Sequence, residues 1–121
     1  MIRFHDTNNG QKIAEIPADF SIKKIKSVED AMDFWGDLYV NDCSKVAMHK
    51  DALDDSFFDL KTGLAGDILQ KFSTYNIKLA IIGDFSNVKS KSLRDFIRES
   101  NRQKFINFVS SLEEAIEVLK D

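Results

Sequence analysis

Leu79, Ala80, Ile81 and Ile82 are four consecutive apolar residues closed by Gly83-Asp84. A short run without polar alternation suits a central parallel strand covered on both faces, and the glycine-aspartate pair supplies the turn that ends it. A parallel strand needs a crossover before it. Phe57, Phe58, Leu60, Leu64, Ala65, Ile68, Leu69 and Phe72 keep three- and four-residue spacings, which predicts one amphipathic helix over 57–72 packed against that strand. These two segments restrict the chain to an α/β class, and the remaining elements are placed around them.

Upstream, Ile2 to His5 alternates apolar and polar positions, Asn8-Asn9-Gly10 tolerates positive φ, and Ile13, Ala14 and Ile16 resume the apolar pattern, which predicts an N-terminal hairpin. Pro17 lacks an amide proton and stops the second strand, and a short extended piece is expected around Ile22 to Ile25. Ser27 with Asp30 resembles a helix cap; Val28, Ala31, Met32, Trp35, Leu38 and Tyr39 then give one helix with a buried face. Lys45 to His49 is a short strand. Downstream, Ser90 or Ser92 caps a helix facing the core through Leu93, Phe96, Ile97 and Ser100; Phe105 to Val109 is the last strand; and Ser111 with Glu114 forms the capping box of a terminal helix. The expected order is ββαβαβαβα, a single α/β domain over 1–121 with a mixed sheet: an antiparallel hairpin, then alternating helices and parallel strands.

Composition excludes several classes. A chain of 121 residues that is 43% hydrophobic buries roughly two thirds of its unfolded surface in one core. Cys43 is the single cysteine, so no internal disulfide is available, and no apolar run is long enough to span a bilayer. With a net charge of −3 and mixed signs, the chain has no strong field for nucleic acid or anionic lipid. A cytoplasmic location without membrane association is expected.

Over nearly the whole length, FFDLKTGLAGDILQKF, KLAIIGDFS, SKSLRDFIRESN and FVSSLEEA resemble the bacterial family catalogued as domain of unknown function 4180, which has no assigned activity. More distantly, the two-strand start and the helix-strand alternation are similar to the STAS domain, the fold of anti-sigma factor antagonists and of the cytoplasmic tails of anion transporters. In STAS regulators an Asp-Ser-Ser-Gly-Leu type motif opens the helix after the third strand, and its second serine is phosphorylated. The matching stretch here is Asp59-Leu60-Lys61-Thr62-Gly63-Leu64. Aligning Gly-Leu implies Thr62 as the phosphoacceptor, with Lys61 in place of the preceding serine and Asp59 one residue further away. Phosphate at a helix N-terminus gains from free amides and the helix dipole; the alternative is that Thr62 is an ordinary first-turn residue.

Helical spacing puts Lys61 near the centre of the apolar face, where an unpaired ammonium is expensive to bury. Either the helix begins near Leu60 and the lysine stem reaches solvent, or Lys61 pairs with Asp84 at the end of the next strand. Gly63 and Gly66 cost stability inside a helix unless a backbone, a second subunit or a ligand approaches closely, although a tolerated glycine is an equal alternative. Thr62, Gly66, Gln70 and Ser73 with Asp59 form a low-bulk stripe suited to contact.

Ligands of parallel sheets favour the crevice beyond the strand carboxyl ends. There the sequence places His49, Lys50 and Asp51, then Asp84 and Ser86, then Ser110 and Ser111, with Asp54, Asp55 and Asp59 nearby. No metal-ligand spacing, glycine-rich phosphate loop or cofactor motif accompanies them. Cys43, His49 and Asp51 could be read as nucleophile, base and orienter, but they fall on both sides of one strand. Lys89, Lys91, Arg94, Arg98, Arg102 and Lys104 form a basic stripe on a helix, suited to an acidic protein, or to local pairing with Asp95 and Glu99. The missing catalytic constellation leans away from an enzyme. The expected function is a regulatory or protein-interaction module whose partner is another protein, with no cofactor. The alternative is a small-ligand-binding protein or enzyme using the strand-end crevice, and a homodimer through the hairpin edge stays open.

Overall fold

The computed structural model of the chain describes residues 2–7, 10–18, 24–103 and 106–120. Five strands, β1 (Arg3–Asp6), β2 (Lys12–Ile16), β3 (Lys45–His49), β4 (Lys78–Ile82) and β5 (Ile106–Val109), form one sheet in the order β1-β2-β3-β4-β5. β1 is antiparallel to β2, and every later pairing is parallel. The expected mixed α/β sheet with an N-terminal hairpin is therefore the observed one. Gly10 carries the positive φ of the hairpin turn, and Asn8 and Asn9 lie outside the described residues.

Among the described residues five helices connect and close the sheet: α1 (Val28–Met32), α2 (Trp35–Val40), α3 (Leu64–Thr74), α4 (Lys91–Gln103) and α5 (Leu112–Leu119). Because strand side chains alternate, β2, β3, β4 and β5 each feed two cores. Ala14, Ile16, Val46, Met48, Leu79 and Ile81 face the larger one, with Phe34, Phe57, Ile68 and Phe72 from the connecting segments. Ile13, Ala47, Ala80, Ile82 and Val109 face the smaller one, which α5 covers with Ala115 and Leu119.

Three expectations for the connections are corrected. The single helix over Val28 to Tyr39 is two short helices, because Asp33 closes the first and Phe34 turns inward to 1% exposure while Tyr39 is left outside. The helix over 57–72 begins only at Leu64. Before it the chain forms 3-10 turns at Asp55–Phe58 and Leu60–Thr62, each opened by an aspartate side chain, Asp54 or Asp59, that accepts a backbone N–H two residues on. These caps compete with the helical ladder and reset its phase. The Ser111 hydroxyl accepts from the Glu114 N–H as expected, but the Glu114 carboxylate reaches back to Ser110 N–H at 2.8 Å rather than to the cap residue.

Other sequence signals locate well. Ser27 accepts from Asp30 N–H, and Ser90, rather than Ser92, caps α4 by accepting from Leu93 N–H at 3.2 Å. On α4 only Leu93 is fully buried; Phe96, Ile97 and Ser100 are half-buried. Ile25 makes a parallel bridge to Leu53, while residues 22 and 23 of the expected extended piece, and Phe105 of the last strand, lie outside the described residues. β1 and β5 are the sheet edges. On β5, Asn101 accepts from Phe108 N–H at 2.6 Å and donates to its carbonyl at 3.3 Å, so a side chain takes the place of a sixth strand at that residue.

Candidate functional site

Thr62 is the last residue of the second 3-10 turn, immediately before α3. Its exposed hydroxyl lies 2.7 Å from the Ser56 carbonyl and 2.9 Å from the Asp59 carbonyl, both acceptors, and it accepts from Leu64 N–H at 3.2 Å. One small side chain thus ties the preceding turn to the helix start. Gly63 follows with φ of 76°, a left-handed conformation that glycine adopts without steric cost. That, and not a close approach, accounts for Gly63. At Gly66 an added Cβ would meet no atom within 4 Å, so no neighbour of the chain explains that glycine.

Lys61 is exposed in the 3-10 turn, so of the two expectations the one that leaves it open to solvent fits, although the helix begins at Leu64 and not near Leu60. Asp84 is engaged elsewhere. Its Oδ1 accepts from the Ser86 hydroxyl at 2.6 Å and from Ser86 N–H at 2.9 Å, and these bonds, with a weaker pull from Lys50, hold its pKa below the usual carboxylate range. Asp54 and Ser56 repeat the same arrangement at 2.6 Å and 3.0 Å. Asp59, Thr62, Gly66, Gln70 and Ser73 are all exposed, as the low-bulk stripe requires. Two depressions of about 390 and 310 Å³ share Val28 and Asp67; Thr62 lines the first and Gln70 the second.

At the strand carboxyl ends the floor is aromatic. Phe58, Phe85, Phe108 and Phe96 follow one another with ring centroids 6.2, 5.2 and 6.0 Å apart. The Lys50 ammonium sits 5.9 Å from the Phe58 ring and 5.5 Å from the Phe85 ring, within the range of cation-π attraction. A depression of about 300 Å³ lies over Lys50, Asp55, Phe58, Asp59 and Phe85, and another of about 430 Å³ over Asp84, Phe85, Ser86, Ser110 and Glu114. Gly83 is a close approach that the sequence did not reveal. A Cβ there would fall 2.8 Å from Lys50 Cβ, so glycine lets β4 pass the lysine stem.

A polar cluster with a buried carboxylate at its centre was also not anticipated. Glu15 on β2 is 5% exposed, and its two carboxylate oxygens accept from separate histidines: His5 Nε2 at 2.8 Å and His49 Nε2 at 2.7 Å. Burial acts to raise the Glu15 pKa. Hydrogen bonds and attraction from His49 and His5 outweigh it, so the net effect holds Glu15 below its ordinary value of 4.5. His49 is thus oriented by Glu15 from the neighbouring strand. Cys43 lies before the other end of β3, buried, with its thiol 3.4 Å from the Lys12 carbonyl and 3.3 Å from the Lys45 carbonyl. The Cys43, His49 and Asp51 grouping is therefore not assembled. Among the described residues no three His, Cys, Asp or Glu side chains are placed to hold a metal. A glutamate inside the apolar run Ile13-Ala14-Glu15-Ile16 was the available signal for this cluster.

Lys104 of the basic stripe lies outside the described residues, and Lys91, Arg98 and Arg102 pair within α4. Asp95 bridges Lys91 at 3.0 Å and Arg98, Glu99 meets Arg102 at 3.5 Å, and Arg94 donates to the Val88 and Lys89 carbonyls. These are exposed contacts that screen readily. No helix among the described residues is long and apolar enough to cross a membrane.

Neither the curated proteins nor the solved structures contain a match to this chain. A family model does match, over residues 8–119, which takes in all but the first strand and the chain ends. On that span the chain belongs to the family described as Domain of unknown function (DUF4180).

Proposed function

We propose that the chain is a non-enzymatic regulatory or protein-interaction module of STAS-like type in the bacterial cytoplasm, addressed through the exposed start of α3. The observation that carries this reading is the Thr62 hydroxyl, which is exposed, lines a depression and joins the Ser56–Asp59 turn to the helix. A partner kinase would transfer the terminal phosphoryl group of a nucleoside triphosphate to this oxygen. The O–P bond forms, the nucleoside diphosphate leaves and the hydroxyl proton passes to the kinase base. The product loses the donor that Ser56 and Asp59 carbonyls now share, and gains about two negative charges beside Asp59 and Asp67. The amides at the helix start favour the phosphate, while the turn that precedes them is released. Asp59, Lys61, Gly63 and Gly66 border the contact surface, and Arg94 and Arg98 offer a separate basic face for an acidic partner.

The test is a pull-down from host cytosol with wild type, Thr62→Ala and Thr62→Glu. The reading expects a bound protein with wild type that is lost with Thr62→Glu. Identical background for all three baits, with unmodified bait mass, contradicts it.

A second reading is favoured by the aromatic-floored depressions at the strand carboxyl ends, where Lys50, Asp84 and Ser86 surround space suited to a small ligand. Native mass spectrometry would detect a copurifying molecule that disappears with Asp84→Ala. Loss of melting temperature alone in that variant would mark Asp84 as a turn-forming residue.

A further inference from the structure

The second helix presents an unusual surface. α2 is six residues long, and only Leu38 within it is fully buried. Tyr39 and Val40 are each 83% exposed, the highest values among the large hydrophobic side chains described. They are not isolated. Trp35 lies one turn before Tyr39 on the same side of the helix, and its ring stacks edge-on against Tyr75, itself 50% exposed, at 4.9 Å. An aromatic surface therefore runs from the end of α3 across α2. Exposed large apolar side chains on one short helix, with tryptophan and tyrosine beside them, are characteristic of protein contacts.

Charge decides between occupants. Residues 27–43 contain Glu29, Asp30, Asp33, Asp37 and Asp42 and no lysine or arginine. Asp33, Asp37 and Asp42 are exposed on the segment that carries Tyr39 and Val40, and the exposed cations nearby are Lys71, one turn before Tyr75, and Lys78, whose backbone N–H donates to the Ser44 carbonyl. A second copy docked face to face across a two-fold axis would bring these carboxylates against their own counterparts, which opposes self-association. A partner carrying lysine or arginine around apolar anchors meets no such repulsion.

We propose that the outer face of α2, with Tyr75, docks a basic protein segment that inserts aromatic or aliphatic side chains beside Tyr39 and Val40. This surface is separate from Thr62 and does not depend on phosphorylation.

The probe is a displayed library of random peptides selected against the full chain at about 0.15 M salt. The expected winners combine lysine or arginine with aromatic or aliphatic anchors. They bind Tyr39→Ser at least about tenfold more weakly, keep their affinity for Tyr39→Phe, and lose it in about 1 M salt. Because Tyr39 is exposed, Tyr39→Ser should melt like wild type, which separates lost binding from lost folding. Winners without basic residues, winners indifferent to Tyr39→Ser, or no enrichment at all would overturn the proposal. So would wild-type dimerisation by light scattering that Tyr39→Ser abolishes, since a second copy would then occupy the face.

Discussion

The two faces of the sheet solve burial differently. On one, four connecting helices and the 3-10 turns bury Phe34, Phe57 and Phe72 to about 1% exposure, and the inward strand residues are apolar throughout. On the other, a single eight-residue helix covers the β3 to β5 half with Ala115 and Leu119, and the β1 to β2 half carries Glu15 between two histidines. The first face is held by transfer and packing, which depend little on pH. The second depends in part on a buried carboxylate that accepts hydrogen bonds from two imidazoles. A sheet with one dry face and one partly ionic face should therefore respond unequally to truncation, acid and salt.

The largest difference should come from truncating the dry face. Phe72→Ala removes a ring that touches both Phe34 and Trp35, and should lower unfolding free energy by about 3–5 kcal/mol in urea titration. A loss below about 1 kcal/mol would mean the face repacks freely. On the ionic face, Glu15→Ala leaves two half-buried histidines without their shared acceptor and should cost about 1–3 kcal/mol at neutral pH.

Acid sharpens the same comparison. The Glu15 pKa is depressed in the folded chain, so its contribution is fully present above the unfolded value near 4.5 and is lost as pH falls through the lower folded value. Below about pH 5 the stability gap between wild type and Glu15→Gln should shrink progressively. A gap that widens below that pH would reverse the sign and refute the cluster's role. Ser111→Ala removes the cap of α5, which covers this face, and should cost about 1 kcal/mol, read as a lowered melting temperature. Arg98→Ala should leave the melting temperature unchanged, because its pairing with Asp95 is exposed.

Much of this architecture was legible before any coordinates. β3 at Lys45–His49, the hairpin, the buried run of β4 and the Ser111 cap follow from period and local capping chemistry, and tertiary contacts do not overrule them. The stretch before α3 misled because apolar residues in 3-10 turns can mimic helical spacing, although Asp59 and the Thr62-Gly63 pair carried the boundary. At the start of α2 the helical spacing passed over Phe34, which is fully buried beside Trp35, and Trp35 packs half-buried against the same core through Phe72. The site was less legible than the fold. His5, Glu15 and His49 come from three strands, and only the sheet register brings them together. Gly83 likewise has meaning only once Lys50 passes beside it.

The proposal that the start of α3 is a regulated surface stands or falls on phosphopeptide mass spectrometry of the protein isolated from its native host under growth and stress. Phosphate on Thr62, absent from a Thr62→Ala strain, is the expected result. Complete coverage of the Asp59 to Leu64 peptide with no modification under any condition would contradict it.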